Sequence, residues 1–560
     1  MKKTFFTAVI LSLVFILNGC GGNDPGASAV TAKASGGAAT GAYALVAWND
    51  LGMHCIDHDY SVFAILPPYN NLHAQLIDRL SGKLVTSGVT LTYEATTDTS
   101  GSLNTTSQGK TNFWQWVLAL FGVTLPPDVG LAGNPVPSLT PAPMVYDAVL
   151  GFWKAEGLPI VPYDDKENTN YYPMVKVVAK DTRGKVLATT VTVLPVSDEL
   201  ACSKCHSSGT GDPWAQPSPD WVYDTDPQKD WKRNILLLHD NRNKANPLYA
   251  TALALKGYSS AGLLATSDGN GVTRRPILCA SCHPSNALGP WGVGVAGVKQ
   301  LTTSMHSWHG VHAMDDATGM PLDQTTDRSA CYYCHPGSVT QCLRGVMGNA
   351  KKPDGTAVLE CQSCHGSMST VGGDRAGWID VPKCQYCHYQ SADGTYVRDT
   401  AALDGSGNFR QTTSIFSSGD ALYKLGATHG GMQCEACHGS THAEYATSEA
   451  NDNLQSTQLQ GYPGTIAECS VCHLRELPQS DAGGPHGLHT LGQVWVYTHT
   501  KAAKAAPEAC TVCHGKDYRG TALSRTFTAR SFRSFGPDPK VYAKGQTVSC
   551  YDCHTNPPGR

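Results

Sequence analysis

Nine times the chain spells Cys-x-x-Cys-His, with first cysteines at Cys202, Cys279, Cys331, Cys361, Cys384, Cys434, Cys469, Cys510 and Cys550. The second cysteines are Cys205, Cys282, Cys334, Cys364, Cys387, Cys437, Cys472, Cys513 and Cys553, so the motif takes up eighteen of the 21 cysteines. Two thiols three residues apart, followed at once by an imidazole, are the pattern for covalent c-type haem attachment. The sulfurs form thioethers with the porphyrin vinyls and the histidine ligates iron from the proximal side. A zinc site would need such motifs in pairs closing a tetrahedron, and a thioredoxin-like centre would need a single motif in a βαβ setting. Neither explains a histidine after all nine. An odd total of cysteines also excludes a closed disulfide framework. The expectation is nine haems, with proximal ligands His206, His283, His335, His365, His388, His438, His473, His514 and His554.

The 21 histidines then divide further. Three, His54, His58 and His73, precede the motifs, which leaves His239, His306, His309, His312, His429, His442, His486, His489 and His499 as distal candidates. Nine spare imidazoles for nine irons suggest six-coordinate, bis-histidine haems, a state suited to electron transfer because no position stays open for substrate. No catalytic residue is expected. Met305, Met314, Met320, Met347 and Met432 are the substitutes that could raise the potential of a haem. Trp308-His309-Gly310-Val311-His312 precedes Cys331, and Pro485-His486-Gly487-Leu488-His489 precedes Cys510. Imidazoles so close in sequence cannot easily serve one iron, so each H-G-x-H cluster is expected to feed adjacent haems and hold them near one another.

The elements that must position these groups are sparse in regular structure. Glycine numbers 57 and proline 33, and charged residues are 16 % of the chain, so loops should dominate the motif region and the porphyrins should form its core. The formal net charge of -4 gives no basic surface for nucleic acid, and each ferric bis-histidine haem with two ionised propionates adds about -1. Asp226 before Pro227 opens a predicted helix to His239, and Asn246-Pro247 opens another that stops near Gly257. A further helix is expected around His499 to Ala506, and Gly366, Gly439 and Gly515 should end the local turn beside the haem.

Residues 43–198 carry no motif and form an expected haem-free β-rich domain, best read as an antiparallel sandwich of immunoglobulin-like type. Strand signals fall at Ala44 to Trp48, Val89 to Ala95, Met174 to Lys180 and Val186 to Leu194, the last two joined by the hairpin loop Asp181 to Lys185. Asn112 to Phe121 reads as a short helix or an aromatic tip contacting the haem domain or a partner. His54, Cys55 and His58, with His73, have side chains that could hold copper or zinc. Cys55 and Cys342, left over from the motifs, are either a disulfide tying the two regions or buried thiols. The fold class is thus two-part: an all-β domain, then a loop-rich, mainly short-helical nine-haem domain over residues 199–560.

At the amino end Lys2, Lys3 and the apolar run Phe5 to Leu17 read as a secretory signal too short to span a bilayer. Leu17-Asn18-Gly19-Cys20 resembles the lipobox of bacterial lipoproteins. That resemblance implies cleavage after residue 19, acylation of Cys20 and a flexible Gly/Ala/Ser-rich tether over residues 20–42.

Signal, β-rich domain and nine motifs together resemble the multihaem c-type cytochromes that metal-reducing bacteria use for extracellular electron transfer. The resemblance implies electron relay at the outer membrane or cell surface, or on its periplasmic face. Electrons would pass from periplasmic or outer-membrane cytochromes, or a porin-cytochrome conduit, to extracellular acceptors. Two rivals remain open: a multihaem reductase of nitrite, hydroxylamine or a sulfur oxyanion with one five-coordinate haem, and an adhesion or assembly module in which the haems are secondary.

Overall fold

Short strands with one apolar face must hide it, and in the amino-terminal half nine do so in two antiparallel sheets. The computed structural model describes residues 41–390, 396–412, 422–474, 489, 492–521, 524–526, 529–533, 538–543 and 545–557. The first sheet has the order β1-β2-β7-β6, where β1 is Tyr43–Trp48, β2 Tyr69–Asp78, β7 Phe152–Pro159 and β6 Val145–Asp147; β3, Lys83–Leu84, adds to β2. The second has the order β9-β8-β4-β5, built from Val186–Val193, Met174–Asp181, Val89–Thr96 and Ala142–Pro143. Period-two alternation sends Leu72, Ala74 and Leu76 of β2 into one core with Leu45, Ala47, Leu91, Tyr93, Val175 and Val177. Both sheets therefore face a common interior. The expected hairpin is present: the Asp181 carboxylate accepts from the amides of Arg183 and Lys185, each at 2.9 Å.

The apolar pattern does not announce β2, whose Asn70, His73 and Gln75 are polar yet buried. The reason is tertiary, because the outer face of its sheet is covered too. Ala44, Val46, Trp48, Ile77 and Phe152 pack against Met432, Ala436, Leu459 and Val471 of the motif region. Side-chain amides extend the strands there. Gln455 accepts from the Ala47 amide at 2.7 Å and donates to the Ala47 carbonyl at 2.8 Å, while Gln75 accepts from the Gln433 amide at 3.0 Å and donates to the Gly431 carbonyl at 2.9 Å. The β-rich and motif regions belong to one compact unit.

A second junction is ionic and fully buried. Lys232 donates to Asp57 at 2.8 Å and to the Phe63 carbonyl at 3.0 Å, and also to the carbonyl of Asp59. Lys232 lies on α2, Pro227–Asn243, which opens as expected: the Asp226 side chain accepts from the Gln228 amide at 2.9 Å. This helix runs a full turn past His239, so that histidine is interior rather than terminal. The predicted segment at 112–121 is α1, Phe113–Phe121, and packs through Phe113, Val117, Leu120 and Phe121 against Leu278, Ala280 and Leu288. Next in chain order come α3, Pro247–Lys256, ended by Gly257 at φ 62°, α4, Leu301–His312, and α5, Gln493–Ala505. The signal, Cys20, nearly all of the tether and His486 lie outside the described residues. Among the described residues no helix is long and apolar enough to cross a membrane.

Candidate haem-iron sites

The attachment motifs form single tight turns, such as Cys361–His365 and Cys434–His438, or shorter 3-10 turns such as Cys469–Val471 and Cys550–Asp552. The histidine amide donates to the carbonyl of the first cysteine at 2.9 to 3.0 Å at His206, His283, His335, His473 and His554. One turn puts residues three and four apart on the same face, so both thiols and the imidazole are presented together. Gly366, Gly439 and Gly515 follow their histidines at φ 74°, 91° and 79° and end the turn where expected.

Among the described residues, seven proximal imidazoles each face one distal candidate across a nearly constant gap. Ring centroids are 6.3 Å apart for His206–His309, 6.2 Å for His283–His239, 6.1 Å for His335–His306 and 6.0 Å for both His365–His442 and His473–His429. They are 6.3 Å apart for His514–His489 and 5.7 Å for His554–His499. An imidazole-to-metal bond is about 2 Å long, so two rings on opposite sides of one metal have centres about 6 Å apart. The residues fit a haem iron between each pair. His388 begins a two-strand ribbon with residues 396–398, and the carbonyl of His438 accepts from the Tyr445 amide at 2.7 Å.

The other ring nitrogen fixes the direction of attack. On α4, His306 Nδ1 lies 2.8 Å from the Thr302 carbonyl and His309 Nδ1 lies 2.7 Å from the Met305 carbonyl. The corresponding acceptors are Trp495 O for His499 (3.0 Å), Lys299 O for His283 (2.9 Å) and Val548 O for His514 (3.1 Å). A carbonyl can only accept, so Nδ1 carries the proton and Nε2 is the free ligating atom. His206 and His239 have no such Nδ1 acceptor among the described residues. Burial, followed by the facing imidazole, pushes His206, His239 and His306 down to about 4 and His365 to about 3. The rings are thus neutral, the form that binds metal.

Neighbouring motifs come near one another at their thiols. The Cys361 thiol is the largest influence on Cys331, whose own pKa is pushed up. Burial pushes Cys202, Cys364, Cys384 and Cys437 up to about 12, and the next contribution in each comes from a cysteine of another motif: Cys334, Cys387, Cys434 and Cys472 respectively. Cys202, Cys279 and Cys282 pack on one apolar cluster, and Cys550 senses Cys510.

Two expectations need correction. His312 does not face a proximal imidazole; its ring packs 4.0 Å from Trp308 and 4.3 Å from Trp214, with the Arg242 guanidinium over Trp308. The cause is helical phase: α4 carries His306 and His309 as the facing imidazoles, whereas the sequence motif singles out His309 and His312. The proposed copper or zinc cluster is also not assembled. His54 bonds Asp50 at 2.9 Å, His58 bonds Asp198 at 2.6 Å, His73 packs on Phe152, and Cys55 lies toward Cys342 and Glu199. Among the described residues no three His, Cys, Asp or Glu side chains converge as a metal site. Of the methionines, Met432 is in the junction core, Met314, Met320 and Met347 are exposed, and Met305 serves through its carbonyl.

The β-rich region reaches the sites directly, which nothing in its sequence signals except two glycines. A Cβ at Gly82, φ +68°, would lie 2.4 Å from the His473 ring, and one at Gly52, φ +71°, would lie 2.1 Å from the Thr441 carbonyl. Both positions require left-handed backbone and bare approach.

Paired attachment thiols and facing imidazoles describe a multihaem c-type cytochrome. Residues 354–558 match the family described as outer membrane cytochrome MtrC/MtrF-like, domains II/IV. The C-type polyheme cytochrome OmcB of Geobacter sulfurreducens, in strains DL-1 / KN400 and ATCC 51573 / DSM 12127 / PCA, is 29% identical over 216 residues. That stretch is 36% of this chain and 27% of the relative, so the match spans about a quarter of the curated proteins' length. No solved structure matches the chain. The comparisons support a multihaem cytochrome of the extracellular electron-transfer kind.

Proposed function

We propose that the chain is a non-catalytic electron relay carrying nine c-type haems. The observation that carries this reading is the set of seven facing imidazole pairs at 5.7 to 6.3 Å. When bound, haem supplies reversible one-electron chemistry; the polypeptide supplies thioether anchors, two nitrogens for each of the seven paired sites and a spaced arrangement. With both axial positions taken by protein at those seven sites, none of the seven is left for substrate, which favours relay over the reductase alternative.

The nearness of these thiols supports an order for the conduit. It runs from the Cys279 motif to Cys202, then Cys331, Cys361, Cys384, Cys434 and Cys469, with Cys510 and Cys550 adjacent to each other. His306 and His309, one turn apart on α4, clasp the Cys331 and Cys202 sites and set their spacing. The β-rich region, residues 43–198, would be an immunoglobulin-like sandwich that braces residues 199–560; the two facing sheets support that reading.

The lipobox-like Cys20 and the family match support a lipid-anchored place at the outer membrane. There the chain would exchange electrons with other outer-membrane or periplasmic cytochromes and pass them to extracellular acceptors. The test is haem content with spectroscopy on the purified chain. Nine haems per polypeptide, low-spin in both states, with no carbon monoxide bound after reduction are expected. Clearly fewer haems, or stoichiometric carbon monoxide binding, would overturn the relay.

A further inference from the structure

Cys342, like Cys55, is a cysteine that neither the attachment motifs nor the relay uses. It sits in a strap, residues 336–345, strung between two sites that are already thiol neighbours. At one end the Cys342 amide donates to the carbonyl of Pro336 at 3.2 Å, the residue after His335. At the other, the Arg344 and Gly345 amides donate to the His442 carbonyl at 2.9 and 2.8 Å. His442 itself has φ +66°, a left-handed backbone that histidine seldom adopts, and its amide donates to Glu444 at 3.0 Å. Arg344 is locked by a buried two-point ion pair with Asp452 at 2.6 and 2.9 Å. The strap over-determines where the His442 ring points.

Within that strap the Cys342 sulfur lies 3.7 Å from His442 Nδ1. We propose that Cys342 is a positioning residue for the iron held between His365 and His442, its sulfur accepting the Nδ1 hydrogen of His442. This rests on the reading that those two histidines, 6.0 Å apart, clasp one iron. With Nε2 on the metal, Nδ1 keeps its proton and must donate. His306, His309 and His499 donate to carbonyl oxygens at 2.7 to 3.0 Å; His442 donates to sulfur, a much weaker acceptor. A weak acceptor leaves the imidazole less electron-rich and stabilises ferric iron less, so this haem is placed at a higher potential than those with carbonyl-anchored distal ligands. It is a mid-chain step whose driving force the strap sets.

The test uses the full haem-loaded chain. His442→Ala first identifies the haem, because one low-spin component is lost from the electron paramagnetic resonance spectrum. Cys342→Asp, which offers a carboxylate to Nδ1, is then expected to shift the same component about tenfold toward the oxidised form, which is 59 mV for a one-electron couple. Cys342→Ala should shift it in the opposite direction, and Cys342→Ser should fall between Asp and Ala with haem content unchanged. The serine and alanine variants carry the comparison if the aspartate variant loads haem poorly. If His442→Ala leaves every low-spin component in place, the clasp reading falls and the inference with it. If that component is lost but the Cys342 variants leave its potential fixed, only the inference falls. A shift from Cys55→Ser equal to that from Cys342→Ala would also overturn it, because the cause would then be a Cys55–Cys342 disulfide.

Discussion

His309 and His312 have equal standing in the sequence, and replacing each by alanine separates the sequence pattern from the geometry. His309 faces His206 at 6.3 Å and is oriented by the Met305 carbonyl, whereas His312 is packed between Trp308 and Trp214. Alanine is a better helix former than histidine by about 0.5 kcal/mol, so α4 persists in both variants and any change reports the lost ring. His309→Ala should leave one iron of nine with an open position. About 11 % of the low-spin signal converts to high-spin, and the reduced protein binds about one carbon monoxide per chain. His312→Ala should bind none and keep the full low-spin spectrum. The assay is carbon monoxide titration with absorption and paramagnetic resonance spectra on haem-quantified protein. A vacant iron in His312→Ala, or none in His309→Ala, would refute the pairing.

Lys232→Met strands Asp57 as a buried charge without its cation, and should cost about 3 to 5 kcal/mol in thermal or denaturant unfolding of the loaded protein. Adding Asp57→Asn should return most of it; no recovery would count against the ion pair as the cause. Gly82→Val places a β-branched side chain in left-handed backbone against the His473 ring, and should perturb the spectrum of that one haem and lower the melting temperature. An unaltered spectrum would show that the β-rich region does not brace the site. Asp198 raises the His58 pKa chiefly through a hydrogen bond, so the pair adds stability that is full at and below about pH 6.5 and fades as pH climbs through the raised value. Melting curves across that range should show a decline that His58→Ala abolishes. Cys20→Ala should move the protein from the membrane fraction to the soluble one, and retention in the membrane would remove the lipid anchor.

The chemistry was legible in the sequence because covalent attachment is local: two thiols and an imidazole on one turn need no distant partner to be recognised. Four strands, the hairpin and the helix starts at Asp226 and Asn246 were legible for the same reason, since alternation and capping act within a few residues. The pairing of imidazoles is different, because it joins positions up to about a hundred residues apart, as in His206–His309, and counting spare histidines cannot say which ring faces which. Helical phase made His306 rather than His312 a facing imidazole. Strand β2 stayed hidden because its polar residues are buried by distant contacts: Asn70 donates to the Pro195 carbonyl, His73 packs on Trp48 and Phe152, and Gln75 pairs with Gly431 and Gln433 of the docked motif region. The dispersal of His54, Cys55, His58 and His73, the nearness of Gly82 to His473 and the sulfur beside His442 likewise belong to the tertiary structure. A sequence lists which groups can bind iron; the distances that select among them exist only once the chain has closed on itself.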